Sequence, residues 1–155
     1  MSMHDQASIQ RACSELVSRY AYLNDERRFE ELSTLFTDDA ILYRPSAPTQ
    51  GIHGREAILA AFRKRPPDTM TFHVCSDILV EALSDSEARG RSRILLLSAA
   101  RPLHGTLAQS AMPVPGVFTD RFVRTPDGWK FAERRGCFWM PAAPTQAEQA
   151  QPAAG

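Results

Sequence analysis

The sequence has no excess of either charge: 18 Lys plus Arg stand against 18 Asp plus Glu in 155 residues. That balance gives no electrostatic footprint for nucleic acid or for an anionic membrane surface. Long apolar runs are missing too. Runs such as Ile94 to Leu97 are far short of the roughly 20 residues that a membrane span needs. Cysteine is scarce and oddly numbered, with Cys13, Cys75 and Cys137 widely spaced. This excludes a disulfide framework or a zinc site and leaves free buried thiols in a reducing cytosol as the expectation. Met1 to Gln6 shows no basic-then-apolar pattern, so no signal peptide and a cytoplasmic location are expected. There is no Gly-rich phosphate loop, no GxSxG elbow and no CxxC. The four histidines, His4, His53, His73 and His104, are scattered without spaced carboxylates, so neither a metal nor a cofactor is expected. Aromatics at 8% without a basic stripe exclude a stacking platform for single-stranded nucleic acid. Lysine occurs only at Lys64 and Lys130, and an arginine-heavy basic set hints at a GC-rich bacterial genome.

What is present is an ordinary globular composition, 43% hydrophobic and 23% charged, at a length that suits one domain. Ile9, Ala12, Cys13, Leu16, Val17 and Tyr20 form a helical stripe with Ser8 as its expected N-cap, ending near Leu23 and Asn24. Phe29, Leu32, Leu35 and Phe36 predict a second short helix, closed by Thr37-Asp38-Asp39. Ala40 to Arg44 reads as a short strand and Pro45 to Gly54 as a loop. Arg55 to Phe62 predicts a third helix, stopped by Arg63-Lys64-Arg65-Pro66-Pro67-Asp68. Four strands follow, over Met70–Ala82, Ala88–Ala100, Gly116–Arg124 and Trp129–Met140, with a long loop over 101–115. Three helices followed by a curved, mostly antiparallel sheet make an α+β plan, a cone enclosing a cavity. The domain is expected over 8–140, with flexible termini at 1–7 and 141–155.

The pieces Tyr20-Ala21, Asp25, Leu32 to Leu35 and Phe36-Thr37-Asp38-Asp39-Ala40 resemble the opening of the nuclear transport factor 2-like, SnoaL-like superfamily. Gly54-Arg55-Glu56-Ala57-Ile58, Phe72-His73-Val74, Phe118-Thr119-Asp120-Arg121-Phe122 and Asp127-Gly128-Trp129-Lys130-Phe131 resemble its later pieces, in order, over roughly residues 8–140. Within it the chain looks most like the branch of scytalone dehydratase, bile-acid 7α-dehydratase and lindane dehydrochlorinase. That resemblance implies an Asp25–His73 dyad with the histidine as base. Tyr20 matches a tyrosine of the two dehydratases, and Arg134 falls where the dehydrochlorinase has a pocket arginine. Arg44 stands near a place where the bile-acid enzyme has a tyrosine, a departure that bears on the substrate class. The superfamily also implies a homo-oligomer, dimer or trimer.

Each residue also has a plainer reading. Asp25 is equally placed to cap a helix starting near Glu26. His73, on a strand face with Thr71, Cys75 and Asp77, is a good base near neutral pH or a satisfied core histidine. Tyr20 lies on the apolar stripe, either to polarise a carbonyl or simply to pack. Arg134 is either an anchor for a carboxylate or leaving group, or an exposed strand arginine; Arg44 has the same two readings. Leu42, Phe118, Phe122, Phe138 and Trp139 are expected to line the cavity or a subunit contact. The functional expectation is a dehydratase-like lyase without a cofactor, acting on a hydrophobic cyclic small molecule. An isomerase or polyketide-cyclase-like enzyme with the same dyad stands beside it. So does a non-catalytic binding or scaffold subunit, such as a dioxygenase small subunit.

Overall fold

The structure, a computed structural model, describes residues 2–102 and 111–140. Its elements in order are α1 (Met3–Asp25), α2 (Phe29–Ser33), β1 (Phe36–Tyr43), β2 (Gly51–His53), α3 (Arg55–Arg63), β3 (Thr69–Ala82), β4 (Glu87–Ala100), β5 (Val114–Thr125) and β6 (Gly128–Phe138). The expected tail at 141–155 lies outside the described residues, as does most of the expected loop at 101–115.

The first helix begins earlier than its apolar stripe. Ser2 Oγ accepts from the Asp5 N–H at 3.1 Å, and the Asp5 carboxylate accepts from the Ser2 N–H at 2.9 Å. This capping box satisfies two groups at the helix start and makes residues 3–7 helical rather than a loose lead-in. Ser8 is therefore an interior residue and not the cap. Ile9, Cys13, Leu16, Val17 and Tyr20 are all buried, as their spacing requires.

The second helix is shorter than its stripe suggests. Leu35 lies in a turn and Phe36 opens β1, pairing with Phe131 in the parallel β1–β6 ladder. The Phe131 N–H also donates to the Leu35 carbonyl at 2.8 Å. Partners far along the chain thus take over residues whose local spacing favours a helix. Thr37, Asp38 and Asp39 belong to β1, which bulges between Phe36 and Ile41. The expected loop contains β2, which pairs with Ile41–Tyr43.

The sheet order is β2-β1-β6-β5-β4-β3, with every pairing antiparallel except β1–β6. β3 is bulged between Ser76 and Leu79, where Asp77 takes φ +47°. The bulge switches strand parity. Thr71, His73 and Cys75 are half-buried, whereas Phe72 and Val74 are exposed. Past the bulge, Ile78, Val80 and Ala82 take over the packing against the core. Asp77 accordingly does not share the face of His73, and its carboxylate meets exposed Arg93 at 3.3 Å.

Tyr20 is the hub of the core. Its ring stands edge-on to Phe36, Phe62, Phe118 and Phe131, with centroids 5.9–6.2 Å away. Each fully buried aromatic contributes about 1.5–3 kcal/mol through area removed from water. Leu42 and Phe122 are fully buried in this cluster and do not face a cavity. Gly90 is tied to that packing, since a Cβ there would lie 2.8 Å from the Phe122 ring. Trp139 is 59% exposed and lies under the Arg93 guanidinium, away from the cone interior. Of the three free thiols only Cys13 is buried, Cys75 being half-buried and Cys137 exposed.

Candidate active site

α1 ends beside β3. The Arg28 N–H donates to the Leu23 carbonyl at 2.9 Å and the Arg27 N–H to the Asn24 carbonyl at 3.3 Å. Arg27 adopts φ +58°, so this is a Schellman stop with arginine where glycine is usual. The left-handed conformation costs a non-glycine residue about 1–2 kcal/mol. Compensation comes from the Arg27 side chain, which donates to the carbonyls of Arg65, Pro66 and Thr69 at 3.0–3.3 Å. Arg65 reaches back in the other direction. Its guanidinium donates to the Asn24 carbonyl at 3.1 Å, to the Asn24 side-chain oxygen and to Thr71 Oγ1 at 3.2 Å. Two arginines therefore fasten the end of α1 to the segment that leads into β3.

Asp25, the last residue of α1, is held where these ties converge. Its carboxylate accepts from the His73 N–H at 2.7 Å and from Thr71 Oγ1 at 2.8 Å, and lies 2.6 Å from His73 Nδ1. It does not cap α2, whose N-cap is Arg28. Backbone and hydroxyl donors offset the unfavourable placement of a carboxylate at the negative end of a helix. With the carboxylate as acceptor, Nδ1 is the donor in this contact, and in the neutral ring the lone pair is then on Nε2. Among the described residues Nε2 has no hydrogen-bond partner. The pair is shielded but reachable, the His73 and Asp25 side chains being 10% and 16% exposed.

His73 lines a cavity of about 230 Å³ inside the cone. Apolar walls come from Phe62, Ile94, Leu96, Phe118 and Phe138, and polar atoms from Tyr20, Asn24, Arg44, Arg65 and Thr71. Gly136 lets two of these walls close in, because a Cβ there would collide with Pro45 and lie 2.7 Å from Phe118. A larger hollow of about 600 Å³ lies on the outer side, between α1 and β3, where Tyr22, Met70 and Phe72 are exposed. Asp25 and His73 both line this outer groove, and His73 alone of the two also lines the inner cavity, so its ring stands between an apolar interior and an open groove.

Tyr20 presents its buried ring to the cavity. Burial pushes its phenol up to about 12, against the pull of Arg134, Arg65 and Arg44. It is therefore a neutral donor at any ordinary pH, and among the described residues its hydroxyl has no hydrogen-bond partner. Arg44 is exposed at the cavity mouth. Arg134 is neither an exposed strand arginine nor a cavity-lining one. It is fully buried behind the wall, 3.2 Å from Asp120, with its guanidinium over the rings of Phe118, Tyr20 and Phe131 at 3.8–4.7 Å. Arg65, Arg27 and Thr71 escaped sequence reasoning. Arg65 reads locally as part of a helix stop, and nothing near it signals a partner 41 residues earlier.

A model of the SnoaL-like domain matches residues 5–135, and the chain belongs to that family. No curated protein matches the sequence. Among solved structures, a scytalone dehydratase-like protein of Novosphingobium aromaticivorans is 24% identical with a TM-score of 0.77, over 90% of this chain and 89% of that one. Hexachlorocyclohexane dehydrochlorinase LinA-type3 of Novosphingobium barchaimii is 20% identical with a TM-score of 0.73, over 90% and 92%. An NTF2-like protein with a cystatin-like fold, from Novosphingobium aromaticivorans, is 25% identical with a TM-score of 0.65, over 90% and 86%. The cone expected from the sequence is thus the fold of the family.

Proposed function

We propose that this chain is a dehydratase-like lyase in which His73 abstracts a proton from a small, mainly apolar, cyclic molecule. The observation that carries the reading is the 2.6 Å contact between Asp25 and His73 Nδ1 on a ring that lines an apolar cavity. Nε2 takes the proton from a carbon next to an activating carbonyl. Asp25 holds the ring in the Nδ1–H tautomer and balances the imidazolium as it forms. The Tyr20 hydroxyl donates to the carbonyl oxygen as negative charge builds there. Loss of a β-hydroxyl, which takes the proton back from the imidazolium and departs as water, leaves a conjugated enone. A cavity of about 230 Å³ suits a compact substrate, below the 300–1,000 Å³ usual for drug-sized ligands. Folds like this one include proteins named as a scytalone dehydratase-like protein and a dehydrochlorinase, both names of elimination enzymes, which supports the same reaction class.

Turnover of a panel of β-hydroxy ketones by wild type, His73→Ala and Asp25→Asn tests the proposal. Both variants are expected to lose activity while keeping a cooperative melt. Unchanged turnover in both removes the dyad from the mechanism.

A further inference from the structure

The cavity has a charge imbalance that the chain as a whole lacks. Among the described residues its lining includes two arginines, Arg44 and Arg65, and no Asp or Glu. Asp25, next to the cavity-lining His73, already receives the His73 backbone N–H and the Thr71 hydroxyl, and contacts the His73 ring. The two guanidinium groups are not equivalent. Arg65 directs its donors at Asn24 and Thr71 and stacks over Phe29 at 5.2 Å. Arg44 has no hydrogen bond or ion pair from its side chain among the described residues. It stands at the mouth, beside Pro45 and Ser46, with the unpartnered Tyr20 hydroxyl deeper in the same cavity.

An apolar chamber with one free planar fork at its rim matches an amphiphile that carries a single carboxylate. Water screens an exposed arginine. A carboxylate drawn against the apolar wall loses part of its own hydration, and a charge-assisted pair gains weight as water is excluded. Resting on the proton-abstraction reading for orientation, we propose that the substrate is a small cyclic carboxylic acid, its carboxylate paired with Arg44 and its ring between Phe118, Phe62 and Phe138. The reacting C–H is then directed toward His73. The charge also disfavours cations, since among the described residues no carboxylate lines the cavity to compensate one.

Binding of benzoate and of benzamide, which differ in charge but hardly in shape, measured by calorimetry at pH 8, is the test. Wild type is expected to bind benzoate about tenfold more tightly than benzamide, the usual size of a charge-assisted gain. Arg44→Gln is expected to bring the two within about twofold, and Arg44→Lys to restore part of the preference. His73→Gln is expected to keep the preference, which removes the imidazole as the anchor. Equal binding of acid and amide by wild type, no measurable binding of either, or a preference that survives Arg44→Gln or vanishes in His73→Gln, overturns the proposal. The proton-abstraction reading is decided separately, by turnover in His73→Gln. If turnover persists there while the Arg44-dependent preference holds, that reading fails and the carboxylate site stands.

Discussion

Two of the acid–base pairs in this molecule, Asp25–His73 and Asp120–Arg134, differ in almost every physical respect. Asp25 and His73 join the end of a helix to a strand at the edge of a cavity, and the carboxylate accepts from a backbone N–H and a hydroxyl besides meeting the ring. Asp120 and Arg134 face each other on neighbouring strands, fully buried beneath Tyr20 and Phe118. Asp120 Oδ1 and the Nε and Nη2 atoms of Arg134 have no hydrogen-bond partner among the described residues. Three aromatic faces around the guanidinium supply part of the lost solvation. A pair that is satisfied yet reachable can exchange a proton with a bound molecule. A sealed pair with idle donors cannot, and its weight falls on stability and on holding the aromatic wall. The resemblance to the dehydrochlorinase branch implies a pocket role for Arg134, but burial assigns this arginine to the support of the cavity.

The sharpest way to break the comparison is to remove one member of each pair. His73→Ala is expected to lower turnover about 10²–10⁴-fold, the usual weight of a positioned general base, with little change in melting temperature. Arg134→Met is expected to do the reverse, lowering stability in urea by about 3–5 kcal/mol because it leaves a buried carboxylate uncompensated. Combining it with Asp120→Leu should recover most of that loss. If the double variant is no better than Arg134→Met alone, the pair is not the source of the cost.

Titration separates the two regions further. Burial pushes the Asp120 carboxyl up to about 6, with Arg134 pulling the other way. An unfolded aspartate titrates near 3.9. Between roughly pH 4 and 6 the folded chain then holds a proton that the unfolded chain has released. Stability contributed by this group is present below the unfolded value and falls as pH rises through the folded one. The loss is on the order of 3 kcal/mol, and Asp120→Asn should flatten that slope in pH-dependent unfolding curves. A wild-type curve that rises with pH over this window in the same way as the variant would contradict the assignment.

The smallest effect is expected at Thr71→Val, which removes one donor to Asp25 and one acceptor for Arg65. A stability loss of about 1 kcal/mol and a modest fall in kcat are expected, with KM nearly unchanged. A larger change in KM than in kcat would place Thr71 against the substrate instead.

Much of the plan was legible along the chain. The stripe from Ile9 to Tyr20, the third helix and the four long strands all form close to where periodicity puts them, because burial of one face dictates their spacing. Their ends were less legible. Leu35 and Phe36 leave the second helix to meet Phe131 of β6, and the Ser2 cap moves the start of α1. The contact of Asp25 with His73 was to be expected only through resemblance, since no local rule relates Asp25 to a histidine in β3.

What the sequence determined by itself is the alternation of faces, the balance of charge and the placement of His73 on a strand. Only the tertiary structure decided which polar groups are open and which are sealed. Arg44, Arg65 and Arg134 are the same residue type in similarly mixed surroundings along the chain. One is free at a cavity mouth, one clamps a helix end and one is buried with Asp120. That difference arises because solvation and partnership depend on neighbours that the fold brings from distant positions, and a one-dimensional pattern does not carry them.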